Sequence, residues 1–146
     1  MSQVKKASPV RRAWVGTEAI DVEELRALVA DPAAGASVVF TGDVRDNDHG
    51  RTVTALTYEV HPSAEEALRQ VALEVVANHE VIAVALAHRH GPIPIGESAL
   101  VAAASARHRK EAFDACIALV ELTKARIPIW KHQRFDDGSD EWVNCA

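Results

Sequence analysis

The sequence predicts an α+β fold, with a mixed or antiparallel sheet and about three helices. Three observations lead there. Strand-like runs fall in pairs between helical stretches, in the order α-β-β-α-β-β-α-β. Of 146 residues, 48% are hydrophobic, enough for one buried core. The fingerprints of nucleotide-binding and hydrolase folds are missing: there is no GxGxxG, GxxxxGK, GxSxG or HExxH.

Each element follows from local pattern. Asp21 precedes Val22-Glu23-Glu24, an N-cap residue with Glu three positions on, and Leu25, Leu28 and Val29 give helical spacing over 22–30. Pro32 and Gly35 stop that helix. The β-branched run Ala36 to Thr41 reads as a buried strand, and Asp43 to Gly50 as a polar loop. Thr52 to Val60 alternates, with Val53 and Ala55 taking turns with hydroxyl residues. Ser63-Ala64-Glu65-Glu66 has the form of a capping box, and Leu68, Val71, Ala72 and Val75 carry a second helix to about Asn78. Strands follow at Val81 to His88 and Ser98 to Ser105, separated by the turn-prone His90 to Gly96. His108 to Arg126 is the longest helix, with Phe113, Cys116, Ile117 and Val120 on its apolar face, and Pro128 ends it. Ile129 to Phe135 reads as a strand, and Trp142-Val143 as a short return after a turn at 136–140.

Residues 1–15 read as a basic N-terminal tail, flexible to about residue 12, with Lys5, Lys6, Arg11 and Arg12 solvated. Residues 16–146 read as one domain. Aromatics make up only 5%, so the core must be mostly Ala, Val, Leu and Ile. A formal charge of −5 is the wrong sign for coating nucleic acid or an anionic membrane. No apolar run approaches the roughly 20 residues of a membrane span. Cys116 and Cys145 match neither a disulfide framework nor a zinc motif, and the N-terminus lacks the apolar core of a secretory signal. The expectation is a cytoplasmic protein with two reduced thiols.

Chemistry is sought where a residue breaks its local pattern. Lys124 continues the stripe of Phe113, Ile117 and Val120, and Arg109 lies on it at the other end. Long stems can lie on apolar surface with their charges in water, or hold an ammonium at the edge of an apolar pocket. Lys124 to Arg134 holds four Lys or Arg around the stiff Ile127-Pro128-Ile129-Trp130, a setting for a small anion with a flat ring. Alternation puts Trp130 and His132 on one face of the last long strand, Lys131 and Gln133 on the other. His108 and Arg109 open a helix, a natural anion site. His88, His90 and His108 lack a carboxylate or thiol at metal-motif spacing, so no metal is expected. Arg45, in the loop Gly42-Asp43-Val44-Arg45-Asp46 at a strand end, suits a phosphate or carboxylate fork unless Asp43 or Asp46 pairs with it.

Five short motifs occur in order: Phe40-Thr41-Gly42-Asp43-Val44-Arg45, Leu56-Thr57-Tyr58-Glu59, His88-Arg89-His90-Gly91, His108-Arg109 with Ala112-Phe113, and Lys124 through Lys131. Asp137-Gly138 and Glu141-Trp142-Val143 fit as well. Together, from about Gly16 to Val143, they resemble the MoaE family, the large catalytic subunits of molybdopterin synthase. The resemblance implies a hammerhead-type α+β fold. It also implies sulfur transfer from the C-terminal thiocarboxylate of a small ubiquitin-like subunit to cyclic pyranopterin monophosphate, giving molybdopterin. The implied assembly is a heterotetramer built on a homodimer of large subunits. No cofactor is implied.

On that resemblance Lys124 and Lys131 match the catalytic lysines. Asp43, Val44, Arg45, His108, Arg109, Lys124, Lys131, His132 and Gln133 line the substrate pocket, which in the family draws on the neighbouring large subunit. Many family members read Lys-Lys-Glu where this chain has Lys131-His132-Gln133. That departure keeps open a non-catalytic scaffold that binds the small subunit. A metal-dependent phosphoesterase using His88, His90 and His108 is the other alternative. Cys116 faces the apolar side of its helix, so the sulfur is expected from the partner.

Overall fold

The computed structural model describes residues 8–144. Four strands form the first sheet: β1 (Val10–Gly16), β2 (Ala36–Asp43), β5 (Ala83–Arg89) and β7 (Ser98–Ala106), in the order β1-β5-β7-β2. The β1–β5 pair is parallel and the other two are antiparallel, so the sheet is mixed as expected. Helices cover both faces. α1 (Val22–Val29) packs Leu25 and Val29 on Ala83, Ala85, Ala87, Val101 and Ala103. α2 (Ala64–Asn78) and α3 (Arg109–Arg126) cover the other face, with Leu68, Val75 and Leu119 against Val84, Leu86, Ala102 and Ala104. Central strands buried on both faces carry no polar alternation. Their many alanines let the helices approach closely.

The second sheet is antiparallel: β3 (Asn47–Asp48), β4 (Arg51–Val60), β8 (Ile129–Phe135) and β9 (Asp140–Asn144), with β6 (Gly91–Ile93) also on β4. β3 and β4 close through His49-Gly50, both at positive φ (51° and 82°), as a two-residue hairpin with matching twist requires. Val44, Leu56, Ile93 and Ala99 form a small core where the sheets meet.

Several expectations need correction. The tail expected over 1–15 is a strand from Val10. Its backbone pairs with β5, the Val15 N–H donates to Glu65 Oε1, Arg11 pairs with Asp31, and Arg12 pairs with Glu24 and lies over Trp14. Lys5, Lys6 and Cys145 lie outside the described residues. Asp21 caps α1 through Glu23 N–H, but Ser63 makes no cap to α2 and bonds His61 Nδ1 instead. In β4 a bulge between Val53 and Ala55 shifts the alternation, so Val53 and Leu56 are buried while Ala55 is exposed. In α3 the buried stripe is Ala112, Ala115, Cys116, Leu119, Val120 and Thr123. Phe113 and Ile117, expected in the core, are exposed (54% and 60%). Ala112, Ala115, Cys116 and Leu119 lie on the buried face, and Phe113 and Ile117 fall outside it.

Candidate functional site

The two sheets leave a cavity of about 160 Å³ at their junction. β2 runs into its rim and delivers Gly42, Asp43, Val44 and Arg45. The β3–β4 hairpin brings Asp48, and β4 brings Leu56 and Tyr58. β5 brings His88 near its end, the last turn of α3 brings Thr123 and Lys124, and β8 contributes Lys131 and Gln133. Pro128 breaks the chain between α3 and β8. That sharp turn lets two lysines seven residues apart, one helical and one on a strand, reach one cavity.

Among the described residues no carboxylate lies within ion-pairing distance of Arg45, Lys124 or Lys131. Asp43, a possible partner of Arg45, instead accepts from Ser98 Oγ at 2.7 Å. Asp48 accepts from Gln133 Nε2 at 3.0 Å. That bond, opposed by burial and then aided by the charges of His49, Lys131 and Arg45, holds the Asp48 carboxyl below the usual carboxylate range.

His88 forms part of the inner wall and is 5% exposed. Its Nδ1 lies 2.8 Å from the Arg89 carbonyl oxygen. A carbonyl only accepts, so Nδ1 carries the proton and Nε2 keeps its lone pair. The ring packs edge-on to Tyr58 at 5.2 Å. Burial lowers its pKa to about 4, opposed by the Arg89 carbonyl bond and aided by the charges of Lys124 and His90. His88 is therefore neutral at pH 7.

The expected site residues separate into three groups. Asp43, Val44, Arg45, Lys124, Lys131 and Gln133 share the cavity. His132 does not line it: it sits on the opposite face of β8, stacked on Trp142 at 4.3 Å and bonded to Asp140 at 2.6 Å. His108 and Arg109 lie at the far end of α3, about 22 Å from Lys124 at 1.5 Å per residue, beside Gly35 and Ala36. One chain therefore does not bring the expected anion ligands together. Among the described residues no cluster of His, Cys, Asp or Glu fits a metal ion. No helix among them is long and apolar enough to cross a membrane. Cys116 is buried, donates to the Ala102 carbonyl and has its pKa pushed up to about 11 by burial, so it is a poor nucleophile.

Asp48, Tyr58 and Thr123 were not among the expected pocket residues. Tyr58 belongs to the Leu56-Thr57-Tyr58-Glu59 motif. Asp48 carries no local signal, because its partner Gln133 is 85 positions away.

Comparison with known proteins gives a consistent result. The MoaE protein family model matches residues 15–126. The molybdopterin synthase catalytic subunit 1 of Mycobacterium tuberculosis is 42% identical over 125 residues, covering 85% of this chain and 84% of that protein. The catalytic subunit from Aspergillus niger is 40% identical over 84% of this chain and 69% of its own length. The crystal structure of molybdopterin synthase from Staphylococcus aureus superposes with a TM-score of 0.83 at 33% identity, covering 90% of this chain and 96% of that one. On this sequence match and shared fold, the chain belongs to the MoaE family.

Proposed function

We propose that this protein is the catalytic subunit of a molybdopterin synthase, a sulfurtransferase acting in molybdenum cofactor biosynthesis in the cytoplasm. It takes sulfur from the C-terminal thiocarboxylate of a small ubiquitin-like subunit and adds it twice to cyclic pyranopterin monophosphate. The observation that carries this reading is the convergence of Arg45, Lys124 and Lys131 on one cavity with no carboxylate among the described residues paired to any of them. Both reactants are anions, and unpaired cations in a confined cavity attract them more strongly than the same charges in water.

Lys124 stands at the end of α3 with its amine toward the cavity that would receive the thiocarboxylate. It serves in proton transfer or in stabilising the tetrahedral intermediate. Lys131 serves the substrate or the leaving oxygen from β8, and Arg45 offers a guanidinium fork for phosphate. The inert Cys116 fits delivery of sulfur by the partner.

His108 and Arg109 take part only if a second copy presents them. The separation along α3 supports this, since one chain cannot fold them onto Lys124. The exposed Phe113 and Ile117, with Val38, Phe40 and Val120, form an apolar groove that such a copy would cover.

The test is reconstitution with a thiocarboxylated small subunit and cyclic pyranopterin monophosphate, reading molybdopterin as its fluorescent oxidation product. Lys124→Ala should lose product by at least 100-fold, about 2.7 kcal/mol in the barrier, while the two subunits still associate. Full product from K124A refutes the proposed role. Tight association of the unaltered subunits without product would make the protein a scaffold.

A further inference from the structure

The cavity contains a contradiction. It holds three cations suited to an anion, yet two carboxylates line the same walls. A carboxylate free to move would ion-pair with a lysine and quench it, since contact charge pairs are favoured in partly dry surroundings. Asp43 is held away by Ser98. Asp48 is the one left beside the cations, and its side chain is only 20% exposed. Its Oδ2 accepts from the Gln133 amide, while His49 Nε2 lies 3.6 Å from Oδ1. Gln133 is 3% exposed and rooted in the middle of β8, so it is a rigid anchor. Only its NH2 group can face a carboxylate. Asp48 sits at the base of a tight hairpin, which fixes its backbone.

We propose that Gln133 is a tether for Asp48: it holds the carboxylate in the cavity wall, near Lys131 and Arg45 but out of contact with both, so that those cations stay free for an anionic ligand. Asp48 and Gln133 are positioning residues here. Lys131 and Gln133 leave the same face of β8 two residues apart, which puts anchor and cation side by side. The argument concerns anion binding at the cavity, and its catalytic consequence rests on the function proposed above.

The experiment uses the full chain in four forms: unaltered, Gln133→Leu, Asp48→Asn, and the double variant. Leu keeps the bulk of Gln and removes the amide. Two quantities are read for each: kcat/KM in the reconstituted synthase, and binding of inorganic phosphate by NMR titration. Released by Q133L, Asp48 should fall onto Lys131 or Arg45, so both quantities should drop roughly tenfold or more. In the double variant there is no charge left to quench the site, so both should recover to the level of D48N. Recovery is the diagnostic result, because simple damage to packing would leave the double variant no better than Q133L. The tether is overturned if Q133L matches the unaltered protein, or if the double variant stays at or below Q133L. Should Q133L not fold, Gln133→Asn, which draws the amide back by one methylene, repeats the series. If the unaltered protein makes no product, the proposed function fails, and the phosphate series alone decides the tether.

Discussion

His88 makes the stability of this protein depend on acid in a way that can be calculated. A histidine in an unfolded chain titrates near 6.5. In the folded protein His88 titrates at about 4, because protonation would bury an imidazolium near the Lys124 ammonium. Its folded pKa lies below its unfolded one, so unfolding takes up a proton throughout the interval between them. The stability it contributes is complete above about pH 6.5 and is lost as pH falls toward 4. Below that both states are protonated and the loss stops growing. At 1.36 kcal/mol per pH unit the full effect is about 3 kcal/mol, a large share of the roughly 5–15 kcal/mol that holds a domain folded. The perturbation is His88→Asn, which keeps an N–H near the Arg89 carbonyl and does not titrate. Urea unfolding at steps from pH 7.5 to 4 gives both curves. Their difference cancels the six other histidines and the carboxylates. The unaltered protein should lose about 3 kcal/mol relative to H88N across that window. Parallel curves would refute the buried, neutral assignment.

Two further predictions follow from the site. Gln133→Glu, the residue many family members carry, should harm this chain by placing a second carboxylate at the 3.0 Å contact with Asp48; we expect a loss of about 1–3 kcal/mol at pH 7 that shrinks as pH falls and one carboxyl protonates, and that Asp48→Asn reverses. Arg109→Ala and Lys124→Ala, each inactive alone, should regain up to about a quarter of the unaltered rate when unfolded and refolded together, because a mixed dimer holds one intact composite site; no recovery would count against a site built from two copies.

The fold was legible where one physical signal dominated. Leu25 and Val29 of α1, Leu68 and Val75 of α2, and the apolar runs of β5 and β7 fall where periodicity puts them. β1 was not legible, because Arg11 and Arg12 make its segment look like solvated tail. It is a strand because β5 offers a parallel partner and because Asp31, Glu24 and Trp14 satisfy the two arginines. On α3, Cys116 and Val120 face inward as periodicity puts them, but the buried stripe runs on through Ala112, Ala115, Leu119 and Thr123 and leaves Phe113 and Ile117 outside it. At the site, Lys124 stood out at the end of a helix and Arg45 at the end of a strand, while Lys131 showed only as one of the cations clustered in 124–134 and as a match to the family's motif. Alternation also separated Lys131 and Gln133 from His132, which turned out to face Trp142. The Asp48–Gln133 bond was invisible, since neither residue has a local reason to be unusual.

The ion pairs around the cavity explain how a chain of charge −5 keeps a cationic pocket. Three cations near the cavity but outside it are paired: Arg126, two residues past Lys124, with Glu74; Arg89, next to His88, with Glu97; Arg51, at the far side of the hairpin from Asp48, with Glu141. Glu74 and Glu141 come from elements distant in sequence, so assembling the fold consumes them, while Glu97 lies eight residues after Arg89. The carboxylates that do line the cavity are held by uncharged donors, Ser98 for Asp43 and Gln133 for Asp48. A neutral donor satisfies a carboxylate without cancelling its charge. Net charge therefore says nothing about this pocket. What matters is which partner each carboxylate is given: Asp43 and Asp48 go to neutral donors, and Arg45, Lys124 and Lys131 face the cavity with no carboxylate in ion-pairing distance among the described residues.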